Sequence, residues 1–440
     1  MNKIPKCGRN RIDLLRELQD MKSDDVDWYN GRSWSLVYYC GMEHTKFLKQ
    51  VYSLYFSENA AGPSMFPSLR KMEAEVVSMV SDLLAGSART CGTMTSGGTE
   101  SILLAMKAYR DRARARGLVS ESPEILVPVS AHPAFLKAAQ YFDLTVVPVP
   151  LDREYRCDIN SLRGLISPST LCIVGSAPAF PQGIMDPIPA LGVIAREHDI
   201  GLHVDACLGG FLLPFVKRLG FDVPPFAFDV LGVSSISTDL HKNGYAAKGA
   251  STILYRDPEL RRYQFFVSDS WPGGLQASPT MLGTRPGGAV AAAWAAMMSL
   301  GEDGYLDIAR RTMETTRRII AGLHEIPELQ IIGSPVMNIV AFTSEVINVY
   351  SLGDRMDSKG WCVNRQNDPV SLQVVATPNH APVVDDFLSD LQVALDAELK
   401  EPRSVKSTGK PFLYGGSANF DDAESARERA LLSIERNYLV

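Results

Sequence analysis

Apolar positions in residues 1–65 follow no sustained period. Aromatic residues and glycines crowd there instead (Trp28-Tyr29-Asn30-Gly31, Trp34, Tyr38-Tyr39, Tyr52, Tyr55-Phe56). An arm of this composition needs a surface for its rings, either its own body or a second subunit. From Pro67 the pattern changes. Stretches 69–84 and 100–116 carry apolar residues at helical spacing. Runs 124–129, 144–149, 170–175 and 201–204 are short, β-rich and bounded by turn residues. Helical stretches lie between them at 134–142, 159–166 and 187–198, and a further strand is expected over 229–235. Strands alternating with helices predict an α/β fold: a mostly parallel sheet with helices on both faces.

A second block begins near Pro286-Gly287-Gly288. It reads as a helix from Ala289, a charged helix over 303–323, strands near 329–332 and 338–342, and a C-terminal helix from Val383. The expected organisation is an N-terminal arm over 1–65, a large domain over 66–288 and a smaller α+β domain over 289–440.

Composition narrows the function. The chain has 440 residues, 45% of them hydrophobic, enough to bury one large core or two linked ones. A net charge of −6, with basic residues only in short runs such as Arg261-Arg262 and Arg317-Arg318, argues against nucleic acid as a partner. The longest apolar run, 289–300, is too short to span a bilayer, and the N-terminus has no apolar block of the signal-peptide kind. Seven scattered cysteines without a C-x-x-C pair make a zinc site or disulfide framework improbable; they fit a reducing, cytoplasmic setting. No metal is expected.

Four features carry chemistry, each with an ordinary alternative. Thr95-Ser96-Gly97-Gly98-Thr99-Glu100 opens a helix, where small residues and free N–H groups favour an anion such as phosphate; many helices simply begin this way. Asp205, in His203-Val204-Asp205-Ala206 at a strand end, can pair with a protonated pyridine nitrogen or merely cap the next turn. His132 at a helix start can stack on a planar ring, although helix-start histidines are common. Lys242, in Ser237-Thr238-Asp239-Leu240-His241-Lys242, is placed to attack an aldehyde as an amine whose pKa burial has lowered. Taken in order, these supply the phosphate cradle, ring partner, pyridinium contact and Schiff-base lysine of a pyridoxal 5′-phosphate (PLP) site.

At these residues the sequence resembles the sphingosine-1-phosphate lyase family. The likeness is densest in Phe66-Pro67-Ser68-Leu69-Arg70-Lys71, in TSGGTESILLAMKAYR over 95–110, in HVDACLGGFL over 203–212, over 235–251, and in SPTMLGTRPGG over 278–288. The resemblance implies a PLP fold-type I (aspartate-aminotransferase-like) homodimer with active sites at the subunit interface, catalysing retro-aldol cleavage of a phosphorylated long-chain amino alcohol. It also implies roles. Lys242 carries the cofactor, Asp205 meets its ring nitrogen and His132 its ring. Gly98, Thr99 and His241 hold its phosphate, with Gly274 of the Trp271-Pro272-Gly273-Gly274 loop contributing from the other subunit. Lys248 and Tyr38 lie beside the substrate, as does Asn59.

Several substrate-side positions depart from the family. Its Asn-Pro-Leu-His-Pro segment is Asn59-Ala60-Ala61-Gly62-Pro63 here, which replaces a phosphate-binding histidine with Gly62. Gln182, Asn243 and Gln276 stand where the family has a histidine and two tyrosines. Retained cofactor residues beside changed substrate residues suggest the same chemistry on an altered substrate. Two rival readings follow: an amino-acid decarboxylase using the same electron sink, and a PLP-binding interaction protein with little catalysis.

Overall fold

The structure is a computed structural model and describes residues 3–62, 64–118 and 122–400, with 428, 431–432 and 434–435. The rest of the expected C-terminal domain beyond residue 400, and residues 1–2 of the arm, lie outside the described residues.

Seven strands form the main sheet: β1 (Cys91–Thr95), β2 (Glu124–Pro128), β3 (Thr145–Val149), β4 (Thr170–Ser176), β5 (Gly201–Asp205), β6 (Ser235–Thr238) and β7 (Ser251–Tyr255). Their spatial order is β1-β7-β6-β5-β4-β2-β3, and only β7 runs antiparallel to its neighbours. Every residue of β4, β5, β6 and β7 is buried. Helices cover both faces, and β4 reads accordingly as a near-continuous apolar run, whereas β6 is buried although three of its four residues are polar. The expected strand over 229–235 forms later, as Ser235–Thr238. Gly232 approaches Gly192 too closely for a side chain (an added Cβ would lie 2.1 Å from Gly192 O), and the 229–233 segment turns instead of extending.

A hairpin of β8 (Phe266–Ser268) and β9 (Gln276–Ser278) leaves the main body with Trp271 exposed at its turn. A second, antiparallel sheet has the order β10-β11-β13-β12, built from Gln330–Ile331, Ile339–Thr343, Val370–Val375 and Asn364–Asn367 respectively. The helix Gly287–His324 joins the two bodies and kinks at Gly301, whose φ of 61° and ψ of −176° break the helical path. Its residues Val290, Ala293, Ile308 and Met313 belong to the large core, whereas Ile319 and Leu323 belong to the core of the second sheet.

The arm is more regular than its aromatic content suggests. It contains helices Arg11–Met21 and Met42–Leu54, the second packing Leu48 and Val51 against Ala295 and Ala296. Between them the arm threads the second core. Trp34 is fully buried, stacked on His380 with ring centroids 4.1 Å apart, and tied by Trp34 N–H to Cys362 O and Val375 N–H to Trp34 O. Its rings therefore pack, at this point, on the chain's own body.

His380 accepts at Nδ1 from Thr377 N–H (2.9 Å) and sits 2.9 Å from Ser33 O through Nε2, so the neutral ring satisfies both neighbours. Burial lowers its pKa to about 4. An unfolded histidine gains its proton near pH 6.5, and the folded ring refuses it until about pH 4. Stability must therefore fall as pH drops through this window. Denaturant titrations from pH 7 to 4 will show a shallower decline in His380→Gln than in the unsubstituted protein.

Candidate active site

The C-terminal ends of the parallel strands converge on one cavity of about 420 Å³. This is where open α/β sheets bind ligands, because the loops there diverge and the following helices point their N-termini inward. After β1 the chain turns through Ser96 and Gly97 into the helix Gly98–Ala115. Glu100, buried, ties the turn down: Oε2 accepts from Ser96 N–H (2.6 Å) and Oε1 from Met281 N–H (2.8 Å). A Cβ at Gly98 would lie 2.6 Å from Cys207 Sγ and 3.0 Å from Asp239 Oδ1, so only glycine lets this helix start lie so close to β5 and β6. The result is an exposed set of backbone donors at the positive end of an 18-residue helix, fit for a phosphate.

His132 follows β2. Its Nδ1 accepts from Ala134 N–H at 3.1 Å, which leaves the proton of the neutral ring on Nε2. Burial lowers its pKa, only partly offset by Asp205. Asp205 ends β5, and its Oδ1 accepts from Cys207 N–H (3.0 Å) and Ser237 O–H (3.2 Å).

Lys242 follows β6 and makes the strongest local interaction, an ion pair of 3.0 Å with Asp239 Oδ2. Burial alone would lower the lysine pKa. Asp239, aided by Cys207, Tyr38 and Asp205, outweighs burial and holds it well above its ordinary value. The lowered pKa expected from sequence is thus reversed. Asp239 in turn ionises below its usual range: burial opposes this, but Lys242 and His241 prevail. Its Oδ1 is buried without a partner among the described residues. His241 accepts at Nδ1 from Ala250 N–H (3.1 Å) and turns Nε2 toward Asp239, 3.6 Å away.

Lys248 has the opposite character. Its ammonium reaches Leu36 O (2.9 Å) and lies 5.3 Å from the centroid of the Tyr38 ring. Burial and the neighbouring Lys242 charge lower its pKa to about 8.

Eight of the residues singled out from sequence thus line a single cavity: Tyr38, Gly98, Thr99, His132, Asp205, His241, Lys242 and Lys248. Asn59 and Gly274 stand apart. Asn59 Oδ1 is taken by Ala61 N–H and Arg285 N–H, closing a turn outside the cavity lining, and Gly274 sits in the exposed β8–β9 loop. Gln182 and Asn243, two of the departures, are buried off the lining and donate to Asp368 O and Leu208 O. Sequence reasoning missed Asp239 and Glu100. The i,i+3 spacing from Asp239 to Lys242 was the available signal; nothing local marked Glu100. Among the described residues no cluster of side chains suits a metal ion, and no helix is long and apolar enough to cross a membrane.

A family model described as the pyridoxal-dependent decarboxylase conserved domain matches residues 48–345. The chain is 43% identical over 435 residues to a sphingosine-1-phosphate lyase of Arabidopsis thaliana, covering 97% of this chain and 79% of the relative. The chain belongs to the sphingosine-1-phosphate lyase family. A solved sphingosine-1-phosphate lyase from Burkholderia pseudomallei matches with a TM-score of 0.88 at 40% identity, covering 91% of this chain and 94% of that one. Similarity extends at 35% identity over 362 residues to a "Probable L-aspartate decarboxylase" of Pyrococcus furiosus, covering 82% of this chain and 95% of the relative. The fold is that of the fold-type I PLP enzymes, the cofactor is PLP, and the reaction class is that of a PLP-dependent carbon–carbon lyase. The glycine-lined helix start, His132 after β2, strand-end Asp205 and half-buried Lys242 fit that cofactor.

Two titrations check the electrostatics. In Lys ¹⁵N NMR of the full chain, Lys248 will titrate near pH 8, against about 10.4 for an exposed lysine. In Asp239→Asn the counter-charge to Lys242 is lost, so its pKa will fall, and the rate of PLP attachment near neutral pH will rise by about tenfold or more.

Proposed function

We propose that this chain cleaves a phosphorylated long-chain amino alcohol between its amine-bearing and hydroxyl-bearing carbons, giving a fatty aldehyde and phosphoethanolamine. The observation that carries this reading is the pair of amines lining one cavity, Lys242 charged beside Asp239 and Lys248 poised near pH 8. When bound, PLP supplies the electron sink that takes up the charge left by the breaking bond.

The chain's residues do the rest. The N–H groups of Gly98 and Thr99 and the His241 Nε2–H would hold the cofactor phosphate. His132 would pack on the ring and Asp205 would hold a proton on the ring nitrogen. Lys242 Nζ would be the point of covalent attachment. Lys248, in its neutral form, takes the proton from the substrate hydroxyl, directly or through a water it orders. Tyr38, beside Lys248, lines the pocket for the substrate phosphate. In a homodimer the exposed Trp271–Gly274 loop extends Gly274 to the neighbouring subunit's site; exposure of Trp271 and Leu275 supports this. Seven unpaired cysteines support a reducing, cytoplasmic setting.

Product analysis of the PLP-loaded protein with phosphorylated and unphosphorylated long-chain amino alcohols tests the reading. Aldehyde and phosphoethanolamine from the phosphorylated substrate are expected; carbon dioxide from amino acids, with no aldehyde, would replace it with the decarboxylase. Lys242→Ala will abolish turnover, and biological effect persisting in that variant would favour the interaction protein. Because the base must be neutral, turnover will rise about tenfold per pH unit below pH 8 and level off above it. Lys248→Met will remove this limb.

A further inference from the structure

Asp205 is the end of a line of buried side chains, none of which but Asp205 itself lines the cavity. Ser237 Oγ lies 3.2 Å from Asp205 Oδ1, and His203 Nε2 lies 3.3 Å from Ser237 Oγ. His203 Nδ1 is 2.8 Å from Ser235 Oγ, which is 2.7 Å from Tyr109 Oη on the helix Gly98–Ala115. None of the four behind Asp205 is more than 1% exposed. The pattern follows from sheet register. On the parallel neighbours β5 and β6, His203 pairs with Ser235 and Asp205 with Ser237. Residues two apart share a face, so two serines stand beside a histidine and an aspartate.

Hydrogen-bond valence orders the protons from Ser235 to Asp205. An ionised carboxylate only accepts, so the single Ser237 proton goes to Asp205. Ser237 must then accept from His203 Nε2–H. With that nitrogen protonated in a neutral ring, Nδ1 accepts the Ser235 proton. Tyr109 Oη closes the buried end, 2.7 Å from Ser235 Oγ and 2.8 Å from Ser234 Oγ. The dipoles of Ser235, His203 and Ser237 all point toward the carboxylate. His203 is neutral, since burial lowers its pKa to about 4 against a weaker opposing pull from Asp205. Burial likewise keeps the Tyr109 phenol protonated. Aligned bonds in a low-dielectric interior reinforce one another, so the charge on Asp205 is stabilised by the whole line together with Cys207 N–H.

We infer that Ser237, His203 and Ser235 form a positioning relay that keeps Asp205 ionised and so keeps the cofactor's ring nitrogen protonated. The inference rests on the reading above that Asp205 meets that nitrogen. Loss of the Ser237 proton removes a donor from the Asp205 carboxylate, and the ring nitrogen then holds its proton less firmly. The relay residues touch neither cofactor nor substrate; they act through Asp205.

The test uses the full chain loaded with PLP carrying ¹⁵N at the ring nitrogen, whose shift reads protonation directly. The unsubstituted protein will show a protonated nitrogen and Asp205→Asn an unprotonated one. Ser237→Ala and His203→Gln will move the shift toward the unprotonated value, a loss of about tenfold in proton affinity; Ser237→Thr will restore it. If Asp205→Asn leaves the nitrogen protonated, the reading of Asp205 fails and the relay's function with it. If Asp205→Asn deprotonates the nitrogen but Ser237→Ala and His203→Gln do not move it, the relay alone is overturned. Histidine ¹⁵N shifts of the unsubstituted protein add a measurement independent of any variant's folding. Neutral His203 protonated at Nε2 is expected; an Nδ1–H tautomer or an imidazolium would overturn the proton order.

Discussion

A charged amine buried at the mouth of a parallel sheet constrains everything around it. Lys242 cannot keep its proton there without a counter-charge, and Asp239 supplies one at 3.0 Å. Asp239 in turn cannot be solvated, because Gly98, Cys207 and β6 close over it. Its second oxygen is without a partner among the described residues, an arrangement costly in an interior and understandable in a binding site. The pair holds Lys242 within the same cavity as the helix start that suits a phosphate. It also raises the barrier to forming the neutral amine that must attack an aldehyde.

The two lysines show how strongly position outweighs residue type. Lys242 and Lys248 lie six residues apart on one loop and line the same cavity. Lys242 faces a carboxylate and its pKa rises; Lys248 has carbonyl oxygens and an aromatic face, feels the charge of Lys242, and its pKa falls to about 8. Carbonyl dipoles and a ring quadrupole compensate burial less than a full negative charge does. One cavity thus presents a charged and a readily neutralised amine, a division of labour that acid–base chemistry near neutral pH requires.

The arm connects this electrostatics to the second core. Trp34, wedged between His380 and the strands of the second sheet, anchors a segment that continues through Leu36 to Tyr38. Leu36 adopts a φ of 65°, an unfavourable conformation for a side-chain-bearing residue, and its carbonyl receives the Lys248 ammonium. Displacement of Trp34 would therefore be felt at Lys248. The kinked helix Gly287–His324 gives a second mechanical link between the cores, since its two halves pack in different ones.

Period and punctuation in the sequence determined most of the alternation of strands and helices, because buried strands such as β4 are mainly apolar and their connections carry turn residues. The order of Gly98, His132, Asp205 and Lys242 at strand ends was legible for the same reason, since parallel strands deliver their C-terminal residues to one edge. Only the tertiary structure decided the protonation of the lysines, because the sign of each shift depends on burial and on which charges folding brings near each amine. It also decided that Asn59 closes a turn instead of joining the cavity, and that Glu100 reaches Met281 across 181 residues of chain. The line from Tyr109 to Asp205 was equally hidden. Each of its residues is ordinary in sequence, and the register of β5 against β6 alone makes them neighbours.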